Sequence, residues 1–176
     1  MTDGAGLAAR AVAISSRTDK PVLDNFSVER RRNEMKVRKR TAKDYRISRW
    51  SGGESREFLL FPDGASYAGR DFLWRVSSAT VELAESDFTP LPDYRRFLTP
   101  LSGALRLSQN GGAFRVLGAL EVLEFDGGAV TKSRGEVTDF NLMLRNGEAE
   151  GGMETASLRA GETLRLGTLL PAEAAE

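Results

Sequence analysis

The stretch DFLWRVSSATVEL, residues 71–83, decides the fold class of this chain. Its side chains alternate in the way that is typical of a β-strand, in which successive residues point to opposite faces of a sheet. One face has bulky apolar ends and a small middle; it carries Leu73, Arg75, Ser77, Ala79, Val81 and Leu83. A guanidinium in the centre of such a face needs an anionic partner, because arginine is rarely buried without one.

Two interpretations of Arg75 follow from this position. In the first, Ser77 and Ala79 leave room for a small ligand, and the planar fork of Arg75 binds its carboxylate. In the second, Arg75 forms a structural ion pair with Glu57 or Asp139, which lie on two other predicted strands. The pattern of residues leaves both interpretations open.

Short strands separated by turn signals fill most of the remaining chain and predict an all-β fold with few helices. No segment carries an apolar stripe of helical period long enough for a core helix. The strands are expected at 55–62, 71–83, 95–103, 104–112, 113–125 (one or two strands), 135–148 and 156–170, the last as a hairpin around Ala160-Gly161.

The predicted strand 135–148 carries a second group of polar side chains. Asp139 and Asn141 are two residues apart and therefore project from the same face. This spacing indicates either the polar wall of a pocket or a face exposed to solvent.

The composition excludes several kinds of chemistry. The chain contains neither histidine nor cysteine, and its formal net charge is zero. This excludes Ser-His-Asp and Cys-His catalysis, imidazole and thiolate metal ligands, and disulfides. We therefore expect no metal and no cofactor. No apolar run of about 18 residues occurs, so we expect no membrane span and a cytoplasmic protein.

The N-terminal part of the chain differs from the rest. We interpret residues 1–34 as a flexible extension and residues 35–172 as a single compact domain. A basic run crosses this boundary, because residues 30–50 hold ten Lys or Arg against two acids. One interpretation is a nucleic-acid patch over residues 30–49. The zero net charge and the scarcity of aromatic residues favour the other, a sheet edge protected by cations.

Three stretches together resemble the HutD/Ves family of cupin-type proteins. They are RWSGGESREFLLFP (49–62), DFLWRVSSATVE (71–82) with FTPLPDYRRFLTPLSG (88–103), and FDGGAVTKSRGEVTDFNLM (125–143). The resemblance covers roughly residues 35–170. It implies a bicupin, that is, two small antiparallel β-barrels side by side in one chain, here without a metal. It also implies a link to histidine utilisation or stress responses in bacteria, and it is compatible with a homodimer.

These arguments predict a protein that binds a small carboxylate-bearing metabolite; by family analogy this is an acidic amino-acid derivative. Arg96 matches the arginine of the family's turn-then-strand motif, which implies either a second cation for the ligand or a surface salt bridge. No catalytic or metal-binding residue is assigned. One alternative is a metal-independent enzyme with Glu57 or Asp139 as base, and another is nucleic-acid association through residues 30–49. The candidate ligand-binding residues are Arg75, Ser77, Glu57, Arg96, Asp139 and Asn141.

Overall fold

The computed structural model describes residues 9–14 by their main chain, and residues 41–50 and 52–163 in full. Strands dominate this described part of the chain, beside a 3-10 helix at Ala42–Asp44. All strand pairs in it are antiparallel, and the expected all-β class is confirmed. The strands are β1 (Ala9–Ile14), β2 (Arg46–Trp50), β3 (Gly53–Phe61), β4 (Trp74–Val81), β5 (Glu85–Asp87), β6 (Tyr94–Pro100), β7 (Ala104–Gln109), β8 (Arg115–Gly118), β9 (Leu123–Asp126), β10 (Thr131–Arg134), β11 (Val137–Arg145) and β12 (Met153–Leu158).

The strands form two main sheets. The larger has the order β2-β3-β4-β11-β6-β9, and the smaller has the order β5-β10-β7-β8. A separate pair joins β1 to β12. The described sheets are open in these orders, so the arrangement as two closed barrels stays a prediction.

The stretch 71–83 contributes a central strand of the larger sheet. β4 lies between β3 and β11 and pairs with both along its whole length. The strand is shorter than the alternation indicates, since Leu73 packs with the cluster on the opposite face and Leu83 is 44% exposed. The apolar ends predicted for the Arg75 face are therefore wrong, apart from Val81, which is buried on that side.

Both faces of β4 and β11 are covered. The inner cluster joins the two main sheets, and its buried members are Val81, Leu98, Leu105, Leu107, Leu117, Leu123, Phe125 and Val137. The outer cluster packs on the reverse side of the larger sheet, and its buried members are Val76, Phe97, Leu142, Leu144, Ala149 and Met153. Burial on both faces means that a polar side chain on either face of these strands must find a partner within the protein.

The main chain of Gly127 packs closely against the turn that precedes β6. The Gly127 main chain accepts a hydrogen bond from Leu91 N (2.6 Å) and donates one to Tyr94 O (2.7 Å). A Cβ atom at Gly127 would lie 2.6 Å from the carbonyl oxygens of both residues. The turn after β9 can therefore approach the turn before β6 only if residue 127 has no side chain.

The predicted terminal hairpin lies only partly within the described residues. β12 pairs with β1 from Ala9↔Leu158 to Ile14↔Met153, so its observed partner lies near the start of the chain. The second arm expected for the hairpin lies mostly beyond residue 163, outside the described residues. β1 itself falls within residues 1–34. The division into an extension and a domain at residue 35 stays a prediction.

The contact at Gly127 leads to a stability prediction. Gly127→Ala should lower the free energy of unfolding by about 1–3 kcal/mol, because the added methyl overlaps two main-chain carbonyl groups. Urea denaturation measures this difference. Gly152→Ala is the matched control, since a Cβ there meets no atom within 4 Å. An equal loss of stability in the two variants would contradict the proposed contact.

Candidate functional site

A cavity of about 200 Å³ lies on the inner face of the larger sheet. Residues of β3, β4, β6 and β11 form its floor, and the segment that follows β5 forms one wall. Its lining residues include five of the six candidates from the sequence, Glu57 being the exception. The lining comprises Ser48, Trp50, Ser55, Tyr67, Arg75, Ser77, Ala79, Val81, Asp87, Phe88, Thr89, Arg96, Asp139, Asn141 and Met143.

The register of the sheet places two arginines in one row of this face. Met143 of β11 is the cross-strand neighbour of Arg75 on one side and of Arg96 on the other. Because one strand separates them, the Cα atoms of the two arginines are about 10 Å apart, which is two inter-strand spacings. The next rows bring Asn141 beside Ser77 and Asp139 beside Ala79 in the same way.

Arg75 is held by protein groups on several sides. Its Nε donates to Glu57 Oε2 at 2.8 Å, and the two side chains are only 7% and 12% exposed. Its Nη1 donates to Ser77 Oγ at 2.8 Å, and Nη2 lies 3.5 Å from Ser55 Oγ. The guanidinium carbon lies 4.5 Å from the centre of the Tyr67 ring. Of the two carboxylates considered from the sequence, Glu57 is the one that pairs with Arg75.

A β-bulge in β3 places Glu57 beside Arg75. Glu57 is opposite Ser77 and Leu59 is opposite Val76, so Phe58 is the extra residue. The bulge lets both Phe58 and Leu59 pack against the outer cluster while Glu57 stays on the inner side. The sequence alternation through 55–62 does not show this shift.

Arg96 is buried with far fewer partners. The side chain is 6% exposed, and its guanidinium carbon lies 5.0 Å from the Phe88 ring centre and 5.2 Å from the Phe125 ring centre. Nη2 donates to Asn141 Oδ1 at 3.2 Å, whereas Nε has no hydrogen-bond partner. No carboxylate in the described part of the chain forms an ion pair with it. The alternative of a surface salt bridge for Arg96 is therefore wrong.

The electrostatic setting of Arg96 disfavours its charge. Burial lowers the pKa of Arg96 to about 10, with Tyr67 and Asp139 acting in the opposite direction and the charge of Arg75 lowering it further. The guanidinium remains protonated near neutral pH. The cavity therefore holds a cation that has lost water and has gained no ion pair in return.

Asp139 is the buried carboxyl group of the cavity. It is 2% exposed, and its Oδ1 accepts hydrogen bonds from Ala79 N (3.0 Å) and Asn141 Nδ2 (2.7 Å). Burial raises the pKa of Asp139 to about 7, against the lowering effect of these two hydrogen bonds and of Arg96 and Arg75. The alternative of a solvent-exposed face for Asp139 and Asn141 is wrong, since both are buried and line the cavity.

Sequence reasoning missed Tyr67, which lies beneath the Arg75 guanidinium. Its ring stacks on Phe72 with the centres 6.1 Å apart, and Phe72 stacks on Tyr94 at 4.3 Å. Tyr94 Oη lies 2.9 Å from the carbonyl oxygens of both Arg70 and Phe72, which share its one proton, and this contact holds the loop that carries Tyr67. The one sequence signal was a single aromatic residue among the small residues of PDGASYAG, residues 62–69.

The cavity does not fit a metal cation of the kind that many cupins hold. Two guanidinium groups line it and would repel such an ion. Within the described ranges, no cluster of three or more Asp or Glu side chains has an arrangement that could bind a metal ion.

Two other expectations concern regions away from the cavity. Residues 30–40 of the basic run lie outside the described residues, and β2, which follows, has all five of its residues exposed. The nucleic-acid alternative stays a prediction. In the described ranges, helices long and apolar enough to cross a membrane are absent.

The fold and the cavity define a class: an all-β protein with a pocket whose lining includes two arginines. A family model described as HutD matches residues 42–170, and the chain belongs to the HutD family. A comparison with curated proteins found no match.

Two solved structures are similar to this chain in fold. The conserved protein of unknown function PA5104 from Pseudomonas aeruginosa PAO1 is 29% identical with a TM-score of 0.52, over 60% of this chain and 55% of that one. HutD from Pseudomonas fluorescens SBW25 is 24% identical with a TM-score of 0.52, over 76% of this chain and 61% of that one. In both cases the chain covers less than two thirds of the other protein.

The buried ion pair leads to a second stability prediction. Arg75→Met should lower the free energy of unfolding by about 3–5 kcal/mol, because the largely buried Glu57 carboxylate is left without its cation. The double variant Arg75→Met/Glu57→Leu should recover most of this loss. Arg115→Met is the control, since its pair with Glu121 is 52% exposed on both sides and its loss should cost no more than about 1 kcal/mol. If the double variant were less stable than Arg75→Met, the ion pair would not be the reason for the loss.

Proposed function

We propose that this HutD family member binds a small carboxylate-bearing metabolite in the cavity, with Arg96 as the principal cation. The observation that carries this proposal is that Arg96 is buried, lines the cavity and has an Nε without any hydrogen-bond partner. A buried guanidinium without an ion pair is costly, and a carboxylate bound in the cavity that Arg96 lines would supply that pair.

In this proposal Arg75 is no longer the principal cation for the carboxylate, as one interpretation of the sequence had it. Because Glu57 already binds its Nε, Arg75 enters the site as one half of a neutral pair. Its Nη2 makes only a long contact to Ser55 Oγ, at 3.5 Å, and so remains a good donor to a ligand atom. Ser77 and Asn141 hold the two guanidinium groups in position through one hydrogen bond each.

The size and lining of the cavity support a small metabolite. A volume of about 200 Å³ lies below the roughly 300–1,000 Å³ of typical ligand pockets, which favours a small ligand. Aromatic side chains such as Tyr67, Phe88 and Trp50 line it beside the polar groups, and such a mixture is typical of ligand pockets. The aromatic residues would contact the carbon skeleton while Arg96 holds the carboxylate.

Family membership supports the finer parts of the proposal. These are a bicupin architecture, a cytoplasmic location, and a regulatory role in histidine utilisation or a stress response through an acidic amino-acid derivative. The absence of cysteine from the chain is consistent with a reducing compartment. Fold alone does not determine function, and the argument for binding therefore rests on Arg96 and its surroundings.

Replacing Arg96 tests the proposal. Arg96→Met should weaken binding of butyrate, succinate or glutamate at least about tenfold, measured by isothermal titration calorimetry. It should change the free energy of unfolding by no more than about 1 kcal/mol, since the loss of the Asn141 hydrogen bond is offset by removal of a buried charge.

Arg95→Met provides the matched control on the same strand. Arg95 points to the opposite face, is 39% exposed, and lies near Glu124, so its replacement should leave the affinity unchanged. If neither the wild type nor Arg95→Met binds any of the three compounds, or if Arg96→Met binds as well as they do, the proposal is wrong.

A second candidate function is a metal-independent enzyme with Asp139 as general base. The observation that favours it is a cavity-lining carboxyl whose pKa is raised to about 7, where general bases work best. Glu57 is less suited, because it is bound to Arg75 and does not line the cavity.

Turnover assays test this second candidate. Any reaction of a panel of amino-acid-derived carboxylates should survive a chelator, be lost in Asp139→Asn, and persist in Glu57→Gln at reduced protein stability. Absence of turnover across the panel by a protein that binds these compounds would count against an enzyme.

A further inference from the structure

We propose that the cavity takes up a carboxylate together with a proton, which resides on Asp139 in the bound state. This inference rests on the proposed function because it concerns the same cavity. It adds that binding is regulated by pH through one residue of the pocket wall.

The geometry of Asp139 leaves one of its oxygens available for a proton. Both hydrogen bonds that it receives end on Oδ1, from Ala79 N at 3.0 Å and from Asn141 Nδ2 at 2.7 Å. In the described part of the chain no group donates to Oδ2, and no arginine forms an ion pair with the carboxyl. A proton on Oδ2 would therefore break no existing contact, and it would turn that oxygen into a donor within the cavity.

The net charge of the buried groups explains why one proton should accompany each bound carboxylate. Arg75 and Glu57 form a pair at 2.8 Å and together contribute no net charge. Arg96 contributes one positive charge, and ionised Asp139 contributes one negative charge. With Asp139 ionised the buried part of the site is already neutral, so an incoming carboxylate would bring an uncompensated charge into a poorly solvated space. With Asp139 protonated, the carboxylate balances Arg96 instead.

The other titratable groups near Asp139 are not suited to take up the proton when a carboxylate binds. Arg75 on β4 and Arg96 on β6 are cations that face it, and Tyr67 lies close to both arginines. Glu57 on β3 is neutralised by Arg75, and Asp87 at the cavity wall is 73% exposed beside Lys132. Asp139 is thus the one described carboxyl in the lining that is buried and has no cation paired with it.

The protonation behaviour of Asp139 agrees with this geometry. Burial raises the pKa of Asp139 to about 7, so the group is neutral below that pH and ionised above it. A bound carboxylate would raise the pKa further, because like charges in one site disfavour ionisation of both. Affinity should therefore be full on the acidic side and decline as the pH rises through neutrality.

Calorimetry on the full chain tests the proposal with butyrate and succinate as probes. Butyrate stays essentially ionised from about pH 6 to about pH 9, and succinate from about pH 7 upwards, so that within these ranges any pH dependence arises from the protein. We expect the dissociation constant to rise towards about tenfold per pH unit on the alkaline side. Titrations in buffers of different ionisation enthalpy should show net proton uptake on binding, greatest between the pKa values of Asp139 in the free and the bound protein.

Two variants test whether Asp139 is the origin of the pH dependence of binding. Asp139→Asn keeps an Oδ1 acceptor for Ala79 and Asn141 and carries a permanent donor in place of the proton. It should bind with no pH dependence, and at about pH 9 it should bind at least about tenfold more tightly than the wild type. Asp87→Asn removes an exposed carboxyl from the same cavity and should retain the pH dependence of the wild type.

A measurement on the wild type covers the case in which Asp139→Asn does not fold. The ¹³C resonance of the Asp139 carboxyl should titrate with a pKa that is at least about one unit higher in saturating butyrate. Binding without pH dependence and without proton uptake would overturn the coupling and leave the proposed function intact. No binding of either probe at any pH would overturn the proposed function and this inference together.

Discussion

Two arginine side chains are buried on one face of the larger sheet, and the structure around the cavity depends on how each charge is compensated. Arg75 is compensated by the Glu57 carboxylate, with Ser77 and the Tyr67 ring completing its surroundings. Arg96 has one hydrogen bond to Asn141 and contacts with aromatic rings, but it forms no ion pair with a carboxylate among the described residues. This asymmetry separates a structural cation from one that is available to a ligand.

The strand register produces this arrangement. β11 lies between β4 and β6, and its Met143 separates the two arginines within one row. The same strand supplies Asp139 and Asn141 from the rows beside it, so that three neighbouring strands meet at one polar cavity. A shift of one residue in any of these pairings would move the polar groups to the opposite face of the sheet, against the outer apolar cluster.

The residues that stabilise the fold also position the site. Tyr94, Phe72 and Tyr67 form a continuous stack that ends under the Arg75 guanidinium. Gly127 fixes the turn before β6, and its main chain packs near the stem of Arg96. The geometry of the cavity is therefore coupled to the stability of the fold around it, and variants that test binding need a parallel measurement of unfolding.

The alternation in residues 71–83 was sufficient to predict a strand with Arg75, Ser77 and Ala79 on one face, because a period of two is a local property of the chain. The motifs around it were sufficient for the HutD family, and the lack of histidine and cysteine excluded whole classes of chemistry. Tertiary structure alone decided that Glu57 pairs with Arg75 and that Arg96 is buried without an ion pair. These facts depend on a bulge and on pairing between strands far apart in sequence, which no local pattern encodes.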